Sequence, residues 1–336
     1  MKKIISFLKT DIKIINSYFL FTIVLIILVC VGYSSYALFS FTKTSTNVIE
    51  GTVGELKKSG TDSLIKLTDN KDNSGLYTIT HAADSTLQIG TNESVTEYRY
   101  RGASPKNYLT FNNEVWRILG VFQTDDGTGK IENRIKIIRN ESIGQYVADS
   151  NNSAEIAWPE TNMNNNLNGT YLSSLTSETQ NMIGNAKYYL GGYNVYTQTS
   201  QDMYSYERKI SGSDYYYGSN PTNWVGKLAL MYVSDYGYAS SNCEGKNLYI
   251  YGNNTDDIRQ CNSTNWLYNI KINEWLLNQD PDYAYGVFYL HNVGYITDGG
   301  IAYNYQYATR PVVYLKSNIK ITGGDGTSTN PYTFGL

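Results

Sequence analysis

The longest apolar run comes first. Residues 14–42 carry no charge, and "YFLFTIVLIILVCVGYSSYALF", 18–39, is 22 residues long, about 33 Å as a helix at ~1.5 Å per residue. That length spans a hydrocarbon core of roughly 30 Å. Residues 43–97 then turn rich in Thr, Ser, Asp, Asn and Gly, with one apolar patch at Leu64, Ile65 and Leu67, a pattern that predicts a stalk with a minor sheet. From Tyr98 the alternation of strands begins. "YLTFNNEVWRILGVF", 108–122, places a turn at Asn112-Asn113 between two strands, and "RIKIIR", 134–139, alternates into another. Ser177 and Gln180 form a capping box for a helix whose Met182, Ile183, Ala186 and Leu190 share one face, ended by Gly191-Gly192. Region 193–280 is irregular, with "KLALMYVSDYGY" as its one clear strand. In "YAYGVFYLH", 283–291, Tyr283, Tyr285, Val287, Tyr289 and His291 fall on one face and Phe288 and Leu290 on the other. A turn at Asn292 to Gly294 follows. Pro311 opens a strand, Ile319 and Ile321 alternate around Lys320, and Gly323-Gly324-Asp325-Gly326 turns the chain before "NPYTFGL". Short strands, few helices and long irregular loops make the expected class α+β.

Charge orients the apolar run. Lys2, Lys3, Lys9 and Lys13 against Asp11 give residues 1–16 a charge of +3, so with −3 for the whole chain the remainder carries −6. The positive-inside rule then makes 1–16 a cytoplasmic tail and 17–42 a transmembrane helix or signal anchor, with everything beyond outside the cell. Ser35-Tyr36-Ala37 also fits a signal-peptide cleavage site, and cleavage would release a secreted protein. Both routes export residues 43–336. A Leu-Pro-x-Thr-Gly wall signal, a second apolar span and a pilin-type leader are all missing from the sequence, so the anchor is expected to be the tether.

Export changes the reading of the cysteines. Cys30 lies in the apolar run, while Cys243 and Cys261 stand 18 apart in an Asn-rich stretch. An oxidising compartment predicts a bridge between them, contributing on the order of 3 kcal/mol for a loop of that size. Free thiols in a cytoplasmic protein are the alternative. Neither cysteine has a Cys or His two to four residues away, which argues against a metal site. "DNKDNSG", 69–75, reads as a solvated turn, because Lys71 occupies the place of a calcium ligand. No metal or cofactor is expected.

Charged residues are only 17% of the chain, and its polarity comes from Tyr, Asn, Ser, Thr and Gly. Phosphate backbones are gripped by clustered Lys and Arg, so nucleic acid is not an expected partner. Catalysis needs an activated nucleophile, an acid/base pair or a metal. Only His81 and His291 are available, and no His-Glu-x-x-His, Gly-x-Ser-x-Gly or phosphate-cradling loop is present. His81, in the stalk, is expected at the surface. Folding could still bring Asp235, Asp280, Asp282 or Asp298 together, but the sequence gives no reason to choose among them. No catalytic residue is assigned.

Tyrosine is the compositional extreme. Of 33 tyrosines, 24 lie from Tyr188 onward. The side chain is large, rigid and amphipathic, and makes contacts at low entropy cost. The candidate ligand contacts are Tyr283, Tyr285, Tyr289, His291, Tyr295, Tyr303, Tyr305 and Tyr307, the last three at every second position. The competing reading is cross-strand pairing in a half-exposed sheet. Trp224, Trp266 and Trp275 are expected to anchor the core. Arg310, beside Pro311, is expected to be a buried guanidinium satisfied by carbonyls or a carboxylate.

"LTFNNEVWRILGVF", "IKIIRNESIG", "WVGKLALMYVSDYGYA" and "RPVVYLKSNIKITGGDGTSTNPYTF" together resemble an uncharacterised domain family common in surface proteins of Gram-positive bacteria, whose members often follow a signal, anchor or pilin-like leader. The resemblance covers residues 98–336 and is most specific at the closing motif. The family usually reads Gly-Val before its Arg-Pro, where this chain has Ala308-Thr309 before Arg310-Pro311; that leaves any glycine-dependent backbone approach in doubt. Trp275-Leu276-Leu277, followed by strand, turn, strand and Arg310-Pro311, is also similar to the C-type-lectin-like fold of formylglycine-generating enzymes. The resemblance implies that 98–336 is a C-type-lectin-like domain of short antiparallel strands, few helices and long irregular loops. The chemistry of those relatives does not carry over. Cys243 and Cys261 lack the close spacing of the formylglycine enzymes, and Gln279-Asp280-Pro281-Asp282 has one residue too many for the calcium-binding lectin motif. The expectation is a membrane-anchored extracellular binding or adhesion module that recognises a glycan, peptide or protein through tyrosine-rich loops. A cell-wall-acting hydrolase or transferase, or a structural pilus-like subunit, are the alternatives.

Overall fold

The computed structural model describes residues 59–150, 156–194, 197–249, 255–268 and 271–336. The alternating sequences around "NNEVWRILGVF" build its main sheet. This contains β1 (Tyr77–His81), β2 (Val95–Arg99), β3 (Tyr108–Phe111), β4 (Glu114–Asp125), β5 (Ile131–Arg139), β9 (Leu228–Ala229) and β14 (Val312–Tyr314). The order is β1-β2-β4-β5-β14-β9, with β3 also on β4, and every pairing is antiparallel. Asn112 and Asn113 close the β3–β4 hairpin at φ 55° and 58°, the paired left-handed geometry of a two-residue hairpin turn, which asparagine tolerates.

A second sheet is assembled from β6 (Gln145–Tyr146), β10 (Glu274–Gln279), β11 (Gly286–Leu290), β12 (Ile296–Ile301) and β13 (Tyr307–Ala308) in the order β12-β11-β10-β13-β6. Only the β10–β13 pairing is parallel. Two smaller ladders join β7 (Ala186–Tyr189) to β8 (Asn223–Gly226) and β15 (Lys320–Gly323) to β16 (Thr333–Gly335). The helices are short: α1 (Gly60–Ile65), α2 (Ser177–Met182), α3 (Ser200–Glu207), α4 (Val233–Gly237), α5 (Ser241–Glu244) and α6 (Thr255–Thr264), with a further helical stretch over 162–174. The class is α+β with mostly antiparallel strands. Trp116, Ile118 and Val121 of β4, Ile135 and Ile137 of β5, and Val312 and Val313 of β14 share one contiguous core with Trp275, Leu277, Phe288 and Leu290 of the second sheet. Removing this apolar area from water, at roughly 25 cal/mol per Å², is the main stabilising term.

A chain of charges runs through the interior beside this core. Asp235, in the first turn of α4, accepts from the Tyr232 backbone N–H at 2.9 Å, from Lys136 Nζ of β5 at 2.5 Å and from Arg99 Nη1 of β2 at 3.0 Å. Arg99 also reaches Glu97 at 2.8 Å, and Glu97 lies 3.3 Å from His81 Nε2. On α3, Glu207 takes Arg208 at 2.6 Å and both the hydroxyl and the backbone N–H of Ser234. All seven charged or titratable side chains are less than 5% exposed. Burial by itself would raise the Asp235 carboxyl, but Lys136 and Arg99 outweigh it and hold the carboxyl below its ordinary value.

Several expectations need correction. His81 is not a surface residue: it is 2% exposed, its Nδ1 lies 2.8 Å from Gln201 Oε1, and its ring stacks on Tyr204 at 3.4 Å. The described part of the expected stalk, 59–97, belongs to the compact unit Lys58–Leu336. Its Leu64, Leu76, Ile79 and Val95 are buried, and a boundary at 97/98 would cut through β2. The polar composition of this segment hid strands whose outward positions are threonines. The helix expected over 177–190 stops at Met182, since Gly184 N donates to the Tyr314 carbonyl and Ala186–Tyr189 leaves to pair with β8. "KLALMYVSDYGY" is a two-residue strand followed by α4, because Asp235 caps a helix there. The tail 1–16, the apolar segment 17–42 with Cys30, and residues 43–58 lie outside the described residues. Among the described residues no helix is long and apolar enough to cross a membrane.

Asp235→Asn leaves Lys136 and Arg99 buried without their shared anion. Urea denaturation is expected to register a loss of about 3–5 kcal/mol. Lys130→Ala, which removes a surface partner of Glu132, should cost less than about 1 kcal/mol.

Candidate functional site

The second sheet carries the candidate contact residues. Trp275 of β10 and Tyr289 of β11 are cross-strand partners, and Tyr307 of β13 packs its ring 4.5 Å from Trp275 and 4.6 Å from Tyr289. Tyr305, 39% exposed, stacks on Tyr307 at 5.5 Å. On the other side of Tyr289, His291 lies at 6.2 Å and stacks on Tyr295 at 4.3 Å. Trp275 is fully buried and donates from Nε1 to the Tyr146 carbonyl, so it fixes the base on which the half-buried Tyr289 and Tyr307 rest. Burial lowers the His291 pKa and raises those of Tyr289, Tyr295 and Tyr307. Burial thus disfavours the charged forms of His291, Tyr289, Tyr295 and Tyr307.

Tyr303, Tyr305 and Tyr307 do not form one row. Only Tyr307–Ala308 is strand, and the chain turns at 302–304 with the backbone N–H groups of Asn304 and Tyr305 both bonded to the Ile301 carbonyl. Tyr303 instead meets Tyr285 at 5.7 Å, and Tyr285 meets Tyr283 at 6.5 Å. The single face expected over 283–291 is broken too, because β11 begins at Gly286 and its register with β12 shifts between Val287 and Tyr289. The eight candidates thus fall into an aromatic patch and a second group at Tyr283, Tyr285 and Tyr303.

That second group borders a cleft of about 330 Å³ lined by Asn194, Tyr249, Asp280, Tyr283, Tyr285 and Asp298. β10 delivers Asp280 at its end. Gly286 makes room for it, since a Cβ there would lie 2.5 Å from the Asp280 Cβ. β12 delivers Asp298 at an inward position between Ile296 and Gly300. Asp280 is 2% exposed and accepts from the Asp282 backbone N–H at 2.8 Å. Asp298 is 7% exposed; Tyr249 donates to its Oδ1 at 2.7 Å, while Oδ2 is buried without a hydrogen-bond partner. Burial pushes the Asp280 pKa up to about 7, with the charges of Asp298 and Asp282 adding to the rise. Burial also raises Asp298, against the bond from Tyr249. This pair was left undecided among four carboxylates in the sequence. A readable signal was present: in "ITDGGI" the aspartate occupies an inward strand position, where an apolar residue is the rule. Asn194 and Tyr249 carried no such signal.

Of the residues expected to be structural, Trp275 and Arg310 hold the second sheet. Arg310 is 1% exposed, with Nε and Nη2 on the two Glu274 oxygens at 2.7 and 2.8 Å and Nη2 also on the Leu267 carbonyl. It ties the chain before β14 to the start of β10. Pro311 is buried and passes its carbonyl to the Arg139 N–H. Trp266 is buried and donates to the Tyr100 carbonyl at 2.9 Å. Trp224 is only half-buried and packs on Tyr188 and Trp158. Cys243 and Cys261 are bonded, S–S 1.93 Å, joining α5 to α6.

Comparison of the chain with family models, with curated proteins and with solved structures finds no match. The residues themselves therefore carry the functional argument.

A folded-state pKa above the unfolded value means that the folded protein holds the Asp280 proton more tightly. Its contribution to stability is full below the ordinary value of 3.8 and is lost as pH rises through about 7. Asp280→Asn removes this term while keeping an acceptor for the Asp282 N–H. Denaturation measured across that window should show the variant gaining on the parent protein as pH rises from about 4 to about 7.

Proposed function

We propose that the chain is a membrane-anchored, extracellular recognition module that binds an extended glycan or peptide across the aromatic patch of the second sheet. The observation that carries this reading is the patch itself: Tyr305, Tyr307, Tyr289, His291 and Tyr295 in continuous ring contact, half-exposed and resting on the buried Trp275. Rings held by neighbouring rings lose little further freedom on binding, and their faces accept apolar surface while hydroxyls at the edge accept or donate hydrogen bonds. Sugar rings and peptide side chains both present that mixture.

Export is supported by the uncharged run 14–42 with four lysines before it and by the Cys243–Cys261 bridge, which suits an oxidising compartment. The C-type-lectin-like arrangement, and membership of the Gram-positive surface domain family, are parts of this proposal that rest on the quoted motifs around Trp275 and Arg310-Pro311. A small charged fraction without Lys and Arg clustering favours such ligands over nucleic acid.

The test is a glycan and peptide array probed with the full-length protein in detergent. A ligand found there should bind Tyr305→Ala roughly 30-fold more weakly, the effect of losing an exposed aromatic contact of about 2 kcal/mol, with the circular dichroism spectrum preserved. Undiminished binding by Tyr305→Ala and His291→Ala together would remove the patch from consideration. Protease shaving of intact cells is expected to digest the C-terminal part, and its protection in intact cells but not in lysates would refute the external location.

A further inference from the structure

Five of the buried carboxylates have a cation beside them. Glu97, Asp125, Glu207, Asp235 and Glu274 are all buried, and each is paired with a lysine or arginine: Arg99, Lys187, Arg208, Lys136 and Arg310 respectively. Asp280 and Asp298 are as deeply buried, yet among the described residues no lysine, arginine or histidine lines their cleft. An ionised carboxylate in low dielectric without a countercharge is costly. The folded chain leaves this cost in place at a cavity open to solvent, with Asp298 Oδ2 buried and unpartnered.

We propose that the Asp280–Asp298 cleft binds an organic cation, the ammonium or guanidinium group of a ligand, with the two carboxylates as its counterions and Tyr283 and Tyr285 as its walls. A cation supplies the donors that Asp298 Oδ2 lacks and the charge that both carboxylates lack. The two tyrosines, 37% and 56% exposed at Tyr285 and Tyr283, offer ring faces for cation–π attraction. The volume suits a single side chain or amino sugar rather than a large ligand. A metal ion is disfavoured: among the described residues no three Asp, Glu, His or Cys side chains are grouped to hold one.

Other places in the molecule carry less. The charge chain around Asp235 is neutralised internally. The larger groove of about 740 Å³ along α6 has its Asn262 and Tyr268 engaged with Tyr236, Val293 and Asn292. The cation site goes beyond the aromatic patch and does not rest on it.

Titration calorimetry of the full-length protein in detergent, with Nα-acetyl-lysine methylamide and its uncharged norleucine counterpart, tests the assignment. The lysine probe should bind at least roughly tenfold tighter than the norleucine probe near pH 8, and Asp298→Asn and Asp280→Asn should each lose that difference. The groups lining the cleft around the bound cation are Asp280, Asp298, Tyr249, Tyr283 and Tyr285, so lowering the pH toward 5 protonates its carboxylates and should weaken the lysine probe by up to about tenfold per unit, with the norleucine probe unmoved. Equal binding of the two probes overturns the proposal, as does unchanged affinity in both folded variants. Should either variant fail to fold, a flat pH profile in the parent protein overturns it alone. Displacement of the probe by micromolar calcium would make the cleft a metal site. Glycan hydrolysis lost in Asp280→Asn would assign the pair to acid–base chemistry. Either result also overturns the proposal. Loss of neutral-ligand binding on the arrays speaks to the patch and leaves the lysine result standing.

Discussion

Asp235 is the junction on which the rest of the body depends. Its carboxylate caps α4, holds Lys136 of β5 and holds Arg99 of β2, so one side chain fixes a helix and two strands of the main sheet at once. None of these groups tolerates burial alone, and together they are neutral enough to remain inside. Through Arg99 and Glu97 the same chain of charges reaches His81 on β1. That link explains why the segment 77–99, polar by composition, is part of the folded body. Apolar packing supplies most of the free energy, while these directed bonds fix which elements meet.

Arg310 performs a comparable task for the second sheet. Its fork on Glu274 and the Leu267 carbonyl pins the start of β10. β10 in turn supplies Trp275 to the aromatic patch and leads directly to Asp280 in the cleft. Patch and cleft are thus two products of one strand, six residues long and buried throughout. For the proposed recognition, rigidity there would count in favour of binding, since contact groups already held in place cost less entropy. The cations beside Glu97, Asp125, Glu207, Asp235 and Glu274 set Asp280 and Asp298 apart from them.

Legibility varied by the kind of pattern involved. The β3–β4–β5 meander was plain because Asn112-Asn113 marks its turn and the flanking residues alternate without interruption. The strand after Pro311, the Gly294 turn and the closing turn at Gly324 and Gly326 were equally local. Helix α2 was misjudged at its far end, since Ile183, Ala186 and Leu190 fit helical spacing as well as they fit a departure to β8; pairing decided for the strand. The tyrosines from Tyr188 onward were weighed as ligand contacts or as cross-strand pairs in a half-exposed sheet, whereas Tyr188, Tyr232, Tyr236 and Tyr238 are buried, their hydroxyls met by Lys227, Tyr189, Asn262 and Gln201.

By itself the sequence determined what depends on neighbours along the chain: the uncharged run and its lysines, the hairpin turns, the strand periods, and the α+β class they imply. Tertiary structure alone decided which tyrosines are buried, that His81 is sealed in a charge network, that residues 303–307 divide between two aromatic groups, and that Asp280 and Asp298 share a cleft. The physical reason is that burial and charge compensation are properties of partners brought from distant positions. Asp235 and Asp298 carry the same side chain, but Lys136 and Arg99 stand beside the first, while among the described residues no cation lines the cleft of the second.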